Sequence, residues 1–257
     1  MLKRIFRYFY RLLYLKSGKG IKINNEDYNV SAYVARGINS VIDETPLKLL
    51  INLSRNAETV FDIGGNIGVI AVILAKKMQP GTTIYSFEPA PLSYQYLEDT
   101  ARVQKGNARI ITVNNAVSNN NEKLAFTNDG NSCTNHISTQ QEEGTVLIDA
   151  ITIDSFCEKS KVIPQVMKID IEGAEYWALE GMQKTLKNNN CMVLVEIHGA
   201  FLTENHINGA MFGNIVDNIG YKVYNTKGEE IRGSEIMENA CVILAKSKPD
   251  DAIFKIN

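Results

Sequence analysis

The chain is short of the groups that staple or anchor a protein. Its four cysteines, Cys133, Cys157, Cys191 and Cys241, are scattered and form no CxxC pair, which argues against zinc or a redox dithiol. Cys157 and Cys191 lie in apolar contexts and read as small buried hydrophobes in a reduced, cytoplasmic setting. No apolar run approaches the roughly 20 residues of a membrane span. The formal charge is only −2, so charge makes no case for a nucleic-acid partner. No repeat or low-complexity linker divides the sequence. What is present is a 257-residue chain that is 44% hydrophobic, enough for one large α/β domain with small additions.

The N-terminus stands apart. Met1–Lys19 holds Lys3, Arg4, Arg7, Arg11, Lys16 and Lys19 and no acid. Ile5, Phe6, Phe9, Leu12 and Leu13 are spaced for one helical face. The segment is short and charged for a signal peptide, and no small-residue cleavage site follows. Two alternatives stand: a basic amphipathic helix on an anionic membrane surface, or a helix docked on the domain with solvated basic residues.

Further on, Ile21–Ile23 and Tyr28–Val34 predict two strands joined by the turn Asn24–Asp27, and Asp43–Leu53 predicts a helix. Residues 1–54 thus form an extension, and 55–257 the main domain. There the pattern alternates: strand 58–63, helix 66–78, strand 82–87, helix 91–104, strand 109–114. It then breaks into strands 123–127 and 145–151 around a polar loop with Gly130, Ser132, Cys133 and His136, with no amphipathic helix expected. It resumes with strand 165–170, helix 174–187, strand 191–197, helix 205–219 and strands 221–225 and 240–246. Such alternation predicts a doubly wound, mostly parallel sheet covered by helices on both faces, with a β-rich insertion before the fourth core strand.

The glycine-rich stretch Asp62-Ile63-Gly64-Gly65-Asn66-Ile67-Gly68 ends the first core strand. Such a turn lets backbone approach a ligand and aims helix N–H groups at it. The next strand ends in Glu88. Strand, turn, helix, strand and acid are the layout of a nucleoside-cofactor site. A dinucleotide fingerprint fails in both frames, because Asn66 and Val69, or Ile67, fall where glycines belong. A P-loop fails because Gly68-Val69-Ile70 is not G-K-[ST]. What remains can cradle a small zwitterion. Asp62 can face a cationic ligand or hydrogen-bond the turn, and Glu88 can accept both hydroxyls of a ribose.

Phe87-Glu88-Pro89, Asn115-Ala116-Val117, Thr152-Ile153-Asp154-Ser155-Phe156, Lys168-Ile169-Asp170-Ile171-Glu172-Gly173-Ala174-Glu175, Leu179-Glu180-Gly181 and Val195-Glu196-Ile197-His198 follow in order. Together with the turn they resemble the FkbM family of class I S-adenosylmethionine-dependent methyltransferases, from about Val60 to His198. The resemblance implies a Rossmann-like methyltransferase domain, S-adenosylmethionine as cofactor, and O-methylation of a hydroxyl. It implies a cofactor seat at Asp62, Gly64, Gly65, Asn66, Gly68, Glu88, Asn115, Ala116 and Asp170. Relatives often carry Ala at position 65, a small-for-small difference expected to matter little.

Ligands bind beyond the carboxyl ends of parallel strands. There Lys168, Glu172, Glu196 and His198 are candidates for the acceptor site, and Asp170 and His198 for catalysis. His198 has the intrinsic pKa of a general base; its alternative is a capping or packing histidine. Asp170 alternatively caps the helix beginning near Gly173. Asp170, Glu172 and Glu175 could hold a divalent cation, but acids in a first helical turn also offset its dipole, and no metal is expected. Lys168 is expected to pair with Glu172 or Glu196. His206 reads as a surface residue, and His136 as one too unless its loop folds over the site. The expected acceptor is a small molecule or glycan: a saccharide, glycolipid or polyol-like metabolite. A natural-product or nitrogen acceptor, or a non-catalytic nucleoside-binding scaffold, are the other readings.

Overall fold

A computed structural model describes residues 18–32, 34–36, 42–127, 137–138 and 145–256. The basic segment therefore falls outside the described residues, except for Gly18 and Lys19. These are not helical but open strand β1 (Gly18–Ile23), which pairs antiparallel with β2 (Glu26–Ser31). The turn between them is shorter than expected because Asn24 and Asn25 both adopt left-handed backbone, at φ 46° and 65°, as a two-residue hairpin requires. Helix α1 (Glu44–Ser54) is capped by Asp43, whose side chain accepts the Thr45 N–H.

The main sheet is built from β3 (Thr59–Ile63), α2 (Val69–Lys77), β4 (Thr83–Phe87), α3 (Pro91–Val103) and β5 (Arg109–Val113). A smaller sheet follows, from β6 (Ala116–Val117), β7 (Lys123–Thr127), β8 (Ile137–Ser138) and β9 (Thr145–Ile151). This is the expected β-rich insertion; its segment with Cys133 and His136 lies outside the described residues. Then come α4 (Ile153–Ser160), β10 (Val166–Ile169), α5 (Glu175–Glu180), α6 (Gln183–Asn188), β11 (Met192–Glu196), α7 (Gly199–Glu204), α8 (Gly209–Asn218), β12 (Lys222–Tyr224), β13 (Glu230–Ile231), α9 (Glu235–Glu238) and β14 (Cys241–Ala245).

The large sheet runs β13-β12-β14-β11-β10-β3-β4-β5. Strands β11, β10, β3, β4 and β5 are mutually parallel, and β14 is antiparallel to β11 and β12. Strand β3 lies between β4 and β10, so chain order reverses there. That is the switch point where doubly wound sheets bind ligands. The hairpin is not a separate body. Ile23, Tyr28 and Val30 share one apolar cluster with Leu47 of α1, Val72 and Ile73 of α2 and Tyr96 of α3. Cys157, Cys191 and Cys241 are buried free thiols. Among the described residues, no helix is long and apolar enough to cross a membrane.

Three expectations are corrected. A helix, α4, does fill the interval before β10. Thr152 caps it by accepting the Ser155 N–H, and Phe156 packs its ring against Phe61, Tyr85 and Phe87. The expected helix 174–187 is two helices. Gly181 passes so close to Ser118 that a Cβ would lie 2.0 Å from its carbonyl oxygen, and the chain restarts with a borrowed cap. Asp154 of α4 accepts the N–H groups of Lys184 and Thr185, at 3.1 and 2.7 Å. The expected helix 205–219 begins later, as α8 at Gly209, and a separate short helix, α7, precedes the expected range; His206, with φ 63°, lies between the two.

Asp154 thus serves a helix other than its own. Asp154→Ala is expected to lower stability by about 1–2 kcal/mol, read from the urea midpoint of unfolding; an unchanged midpoint would show the borrowed cap to be idle.

Candidate active site

Asp62, Glu88, Asp170 and Glu196 end four neighbouring strands, on the rim where the turn 64–68 and the loop 170–174 meet. Lys168 joins them. Strand β10 is buried throughout, and its one charge sends its Nζ to Asp170 Oδ2 at 3.0 Å, to Asp62 Oδ1 at 3.7 Å and to the Gly64 carbonyl at 3.2 Å. Lys168 therefore pairs with Asp62 and Asp170, not with Glu172 or Glu196. Burial pulls the lysine pKa down, but the charges of Asp170 and Asp62 outweigh it and hold Lys168 protonated. Burial likewise pushes Asp170 upward, and Lys168, followed by His198, brings it below the usual carboxylate range. Asp170 does not cap the next helix, whose N-cap is Ala174.

The turn is fixed from inside. Gly64 and Gly65 both donate to the Phe87 carbonyl, at 3.0 and 2.8 Å, and Gly68 donates to Gly65. Asn66 donates its backbone N–H to Glu88 Oε2 at 2.8 Å, and Ala90 donates to Glu88 Oε1 at 2.8 Å. These four turn donors are committed within the protein. Gly64 has φ 87°, and a Cβ there would lie 1.8 Å from the Asp170 carbonyl oxygen. Only glycine lets the two loops approach this closely.

Asp62 is wholly buried. It accepts the Ser86 hydroxyl at 2.7 Å and faces Lys168, and so orders the turn from behind. Glu88 is 7% exposed. Burial raises its pKa to about 7, against the two N–H bonds that favour its charged form. Asn115 and Ala116 do reach the rim. With Gly64, Phe87, Pro89 and Ile171 they line a small slot beside Glu88.

The acceptor candidates gather on the other side of Asp170. His198, just past β11 at the start of α7, has Nε2 3.4 Å from Glu172 Oε2 and 3.8 Å from Asp170 Oδ1. Burial and the charge of Asp170 raise the pKa of Glu196. Glu175 was expected to offset a helix dipole, but it is fully buried and lies 2.7 Å from His198 Nδ1. Sequence reasoning missed that contact; the i, i+3 spacing of Glu172 and Glu175 on a presumed helix concealed it. Asp170, Glu196 and His198 bring one donor atom each within 4.8 Å, but the Lys168 ammonium already balances Asp170, and no metal is assigned. His206 is exposed, as expected.

The strand order, with an acid-lined rim at its switch point, defines a doubly wound α/β domain. The chain belongs to the FkbM methyltransferase family: the model of the methyltransferase FkbM domain matches residues 62–225. It is 29% identical over 159 residues to the hexuronic acid methyltransferase AglP of Haloferax volcanii, a match spanning 61% of this chain and 62% of AglP, so somewhat under two thirds of that relative's length is represented. Among solved structures it is similar to methyltransferase FkbM from Methylobacillus flagellatus KT (16% identity, TM-score 0.43, covering 75% of this chain and 47% of that one). It is also similar to a precorrin-6y C5,15-methyltransferase from Geobacter metallireducens GS-15 (12%, TM-score 0.44, covering 82% and 93%).

Position 65 is less tolerant than its small size suggested. A Cβ there would lie 2.1 Å from the Ser86 Oγ and 3.2 Å from Leu97. Gly65→Ala is expected to cost about 1–3 kcal/mol. Combined with Ser86→Ala it should cost less than the sum of the single changes, by at least about 0.5 kcal/mol. Denaturant unfolding of the four proteins checks this, and strict additivity would show that the two positions do not meet.

Proposed function

We propose that this protein is an S-adenosylmethionine-dependent O-methyltransferase acting on a hydroxyl of a saccharide, glycolipid or polyol-like metabolite. The observation that carries the cofactor is the hydrogen-bonding state of the turn. A pyrophosphate needs free backbone donors, and those of Gly64, Gly65, Asn66 and Gly68 are taken. Acids at Glu88 and Asp170 favour a cationic, ribose-bearing ligand instead. Glu88 would accept the ribose hydroxyls with the lone pairs left by its two N–H bonds, and the slot at Asn115 and Ala116 would take the base. Family membership supports methyl transfer, and the hexuronic acid methyltransferase among the relatives supports a saccharide acceptor.

The bound cofactor supplies an electrophilic methyl group on a sulfonium. The protein's own task is to align the acceptor and remove its proton. Asp170, held ionised by Lys168, would favour positive charge at the rim and orient the acceptor. His198 is the general base, and Glu172 and Glu196 flank it as hydrogen-bond acceptors for neighbouring hydroxyls.

Calorimetry should detect S-adenosylmethionine and S-adenosylhomocysteine but not NAD; binding of NAD alone would reject the assignment. Binding should also depend on pH. The ionised Glu88 carboxylate is the better diol acceptor, so S-adenosylhomocysteine affinity should rise as pH increases through about 7, and Glu88→Gln should abolish this step. An identical step in that variant would place its origin elsewhere.

For the acceptor, labelled S-adenosylmethionine with extracts of the source organism identifies the methylated product; a labelled nitrogen product would overturn O-methylation. With that acceptor, His198→Ala should reduce turnover by about 10²–10⁴-fold while changing cofactor affinity little; equal loss of both would reject the base.

A further inference from the structure

Glu175 opens α5 and is completely buried, whereas an acid that merely offsets a helix dipole is normally solvated. Its Oε1 accepts the Gly173 N–H at 3.0 Å and lies 2.7 Å from His198 Nδ1. Its Oε2 makes no hydrogen bond. An oxygen that already receives an N–H acts as an acceptor, so the proton between it and the imidazole belongs to Nδ1. The ring's other nitrogen, Nε2, points toward Asp170 and Glu172, at the rim where ligands enter.

We propose that Glu175 is a positioning residue for methyl transfer: it fixes His198 as the Nδ1–H tautomer, leaving Nε2 as the atom that takes the acceptor's proton. This rests on His198 being the base. In the step itself the hydroxyl oxygen bonds to the methyl carbon as the carbon–sulfur bond breaks and its electron pair passes to sulfur. The hydroxyl proton goes to Nε2. The resulting imidazolium keeps its Nδ1–H on Glu175, whose negative charge stabilises it, as in other carboxylate–histidine pairs.

The Gly173 N–H makes the pair directional. A glutamine at 175 would have to present its carbonyl oxygen to Gly173, because its amide nitrogen there would set donor against donor. The same oxygen would still accept Nδ1–H. Glu175→Gln therefore removes the charge and keeps the tautomer.

The charged groups around His198 are Glu175 of α5, Asp170 and Glu172 of the loop after β10, Glu196 of β11 and Lys168 behind Asp170. Burial lowers the imidazole pKa, but the hydrogen bond and charge of Glu175, with Glu172 and Asp170, raise it to about 9. In the free protein the neutral base therefore appears as pH rises through that value. A bound sulfonium, itself a cation, would bring the transition down.

Nuclear magnetic resonance of the full-length, 15N-labelled protein tests this without an acceptor, since the chain has three histidines. Above the transition, wild-type His198 should be the Nδ1–H tautomer, opposite to free histidine in water. In Glu175→Gln the tautomer should persist and the midpoint should fall by at least about one pH unit. With the acceptor identified by labelling, the midpoint of kcat/KM should move by the same amount and cofactor affinity should stay within about twofold. A wild-type Nε2–H tautomer, or an unmoved midpoint in folded Glu175→Gln, would overturn the role of Glu175. The wild-type tautomer decides the matter even if the variant does not fold. If His198→Ala retains turnover, it is the base assignment that fails; if His198→Ala loses turnover while Glu175→Gln leaves the midpoint unmoved, only the positioning role fails.

Discussion

Lys168 stands in the middle of an otherwise apolar strand, and the working end of the sheet is arranged around its ammonium group. One charge reaches a carboxylate on β3, a carboxylate after β10 and a carbonyl of the turn between β3 and α2. An unpaired ammonium at this depth would cost several kcal/mol. The same holds for the two acids without it, so each member is tolerable only because the others are present. The three contacts also fix separations. They draw the turn against the loop after Asp170 until only a glycine fits between them.

From this centre the site divides into two halves of different electrostatic character. On the β4 side, Glu88 is buried with two backbone donors and sits near the boundary between charged and neutral. On the β11 side, four acids surround one imidazole and favour its protonated form. Asp170 belongs to both halves. A carboxylate with one oxygen on Lys168 and the other toward His198 couples the two sides electrostatically, although their residues come from opposite sides of the switch point.

Much of the architecture was legible because it rests on periodicity and on the ends of strands. Apolar runs closing in Asp62, Glu88, Asp170 and Glu196 announce buried parallel strands with a charged rim, and the structure brings all four together. Less was legible where a residue serves a distant partner. The capping signal at Thr152 was available in the sequence, but Asp154 capping a helix thirty residues away was not, and neither was the close approach of Gly181 to Ser118 where the helix breaks. Glu175 looked like an ordinary first-turn acid. What distinguishes it is His198, which only the pairing of β10 with β11 brings within reach. The committed donors of the turn were equally hidden, since a glycine-rich sequence does not reveal whether its N–H groups face a ligand or a neighbouring strand.

The Ser86 hydroxyl has two roles: it hydrogen-bonds buried Asp62, and it fills the space that a side chain at position 65 would need. An evolving lineage therefore cannot exchange these residues in either order at equal risk. Alanine at 65 arriving first meets an oxygen, whereas loss of the hydroxyl first opens room but removes a partner from Asp62, which then relies on Lys168 alone. The tolerance of a route through position 86 depends on a lysine two strands away from it in the sheet.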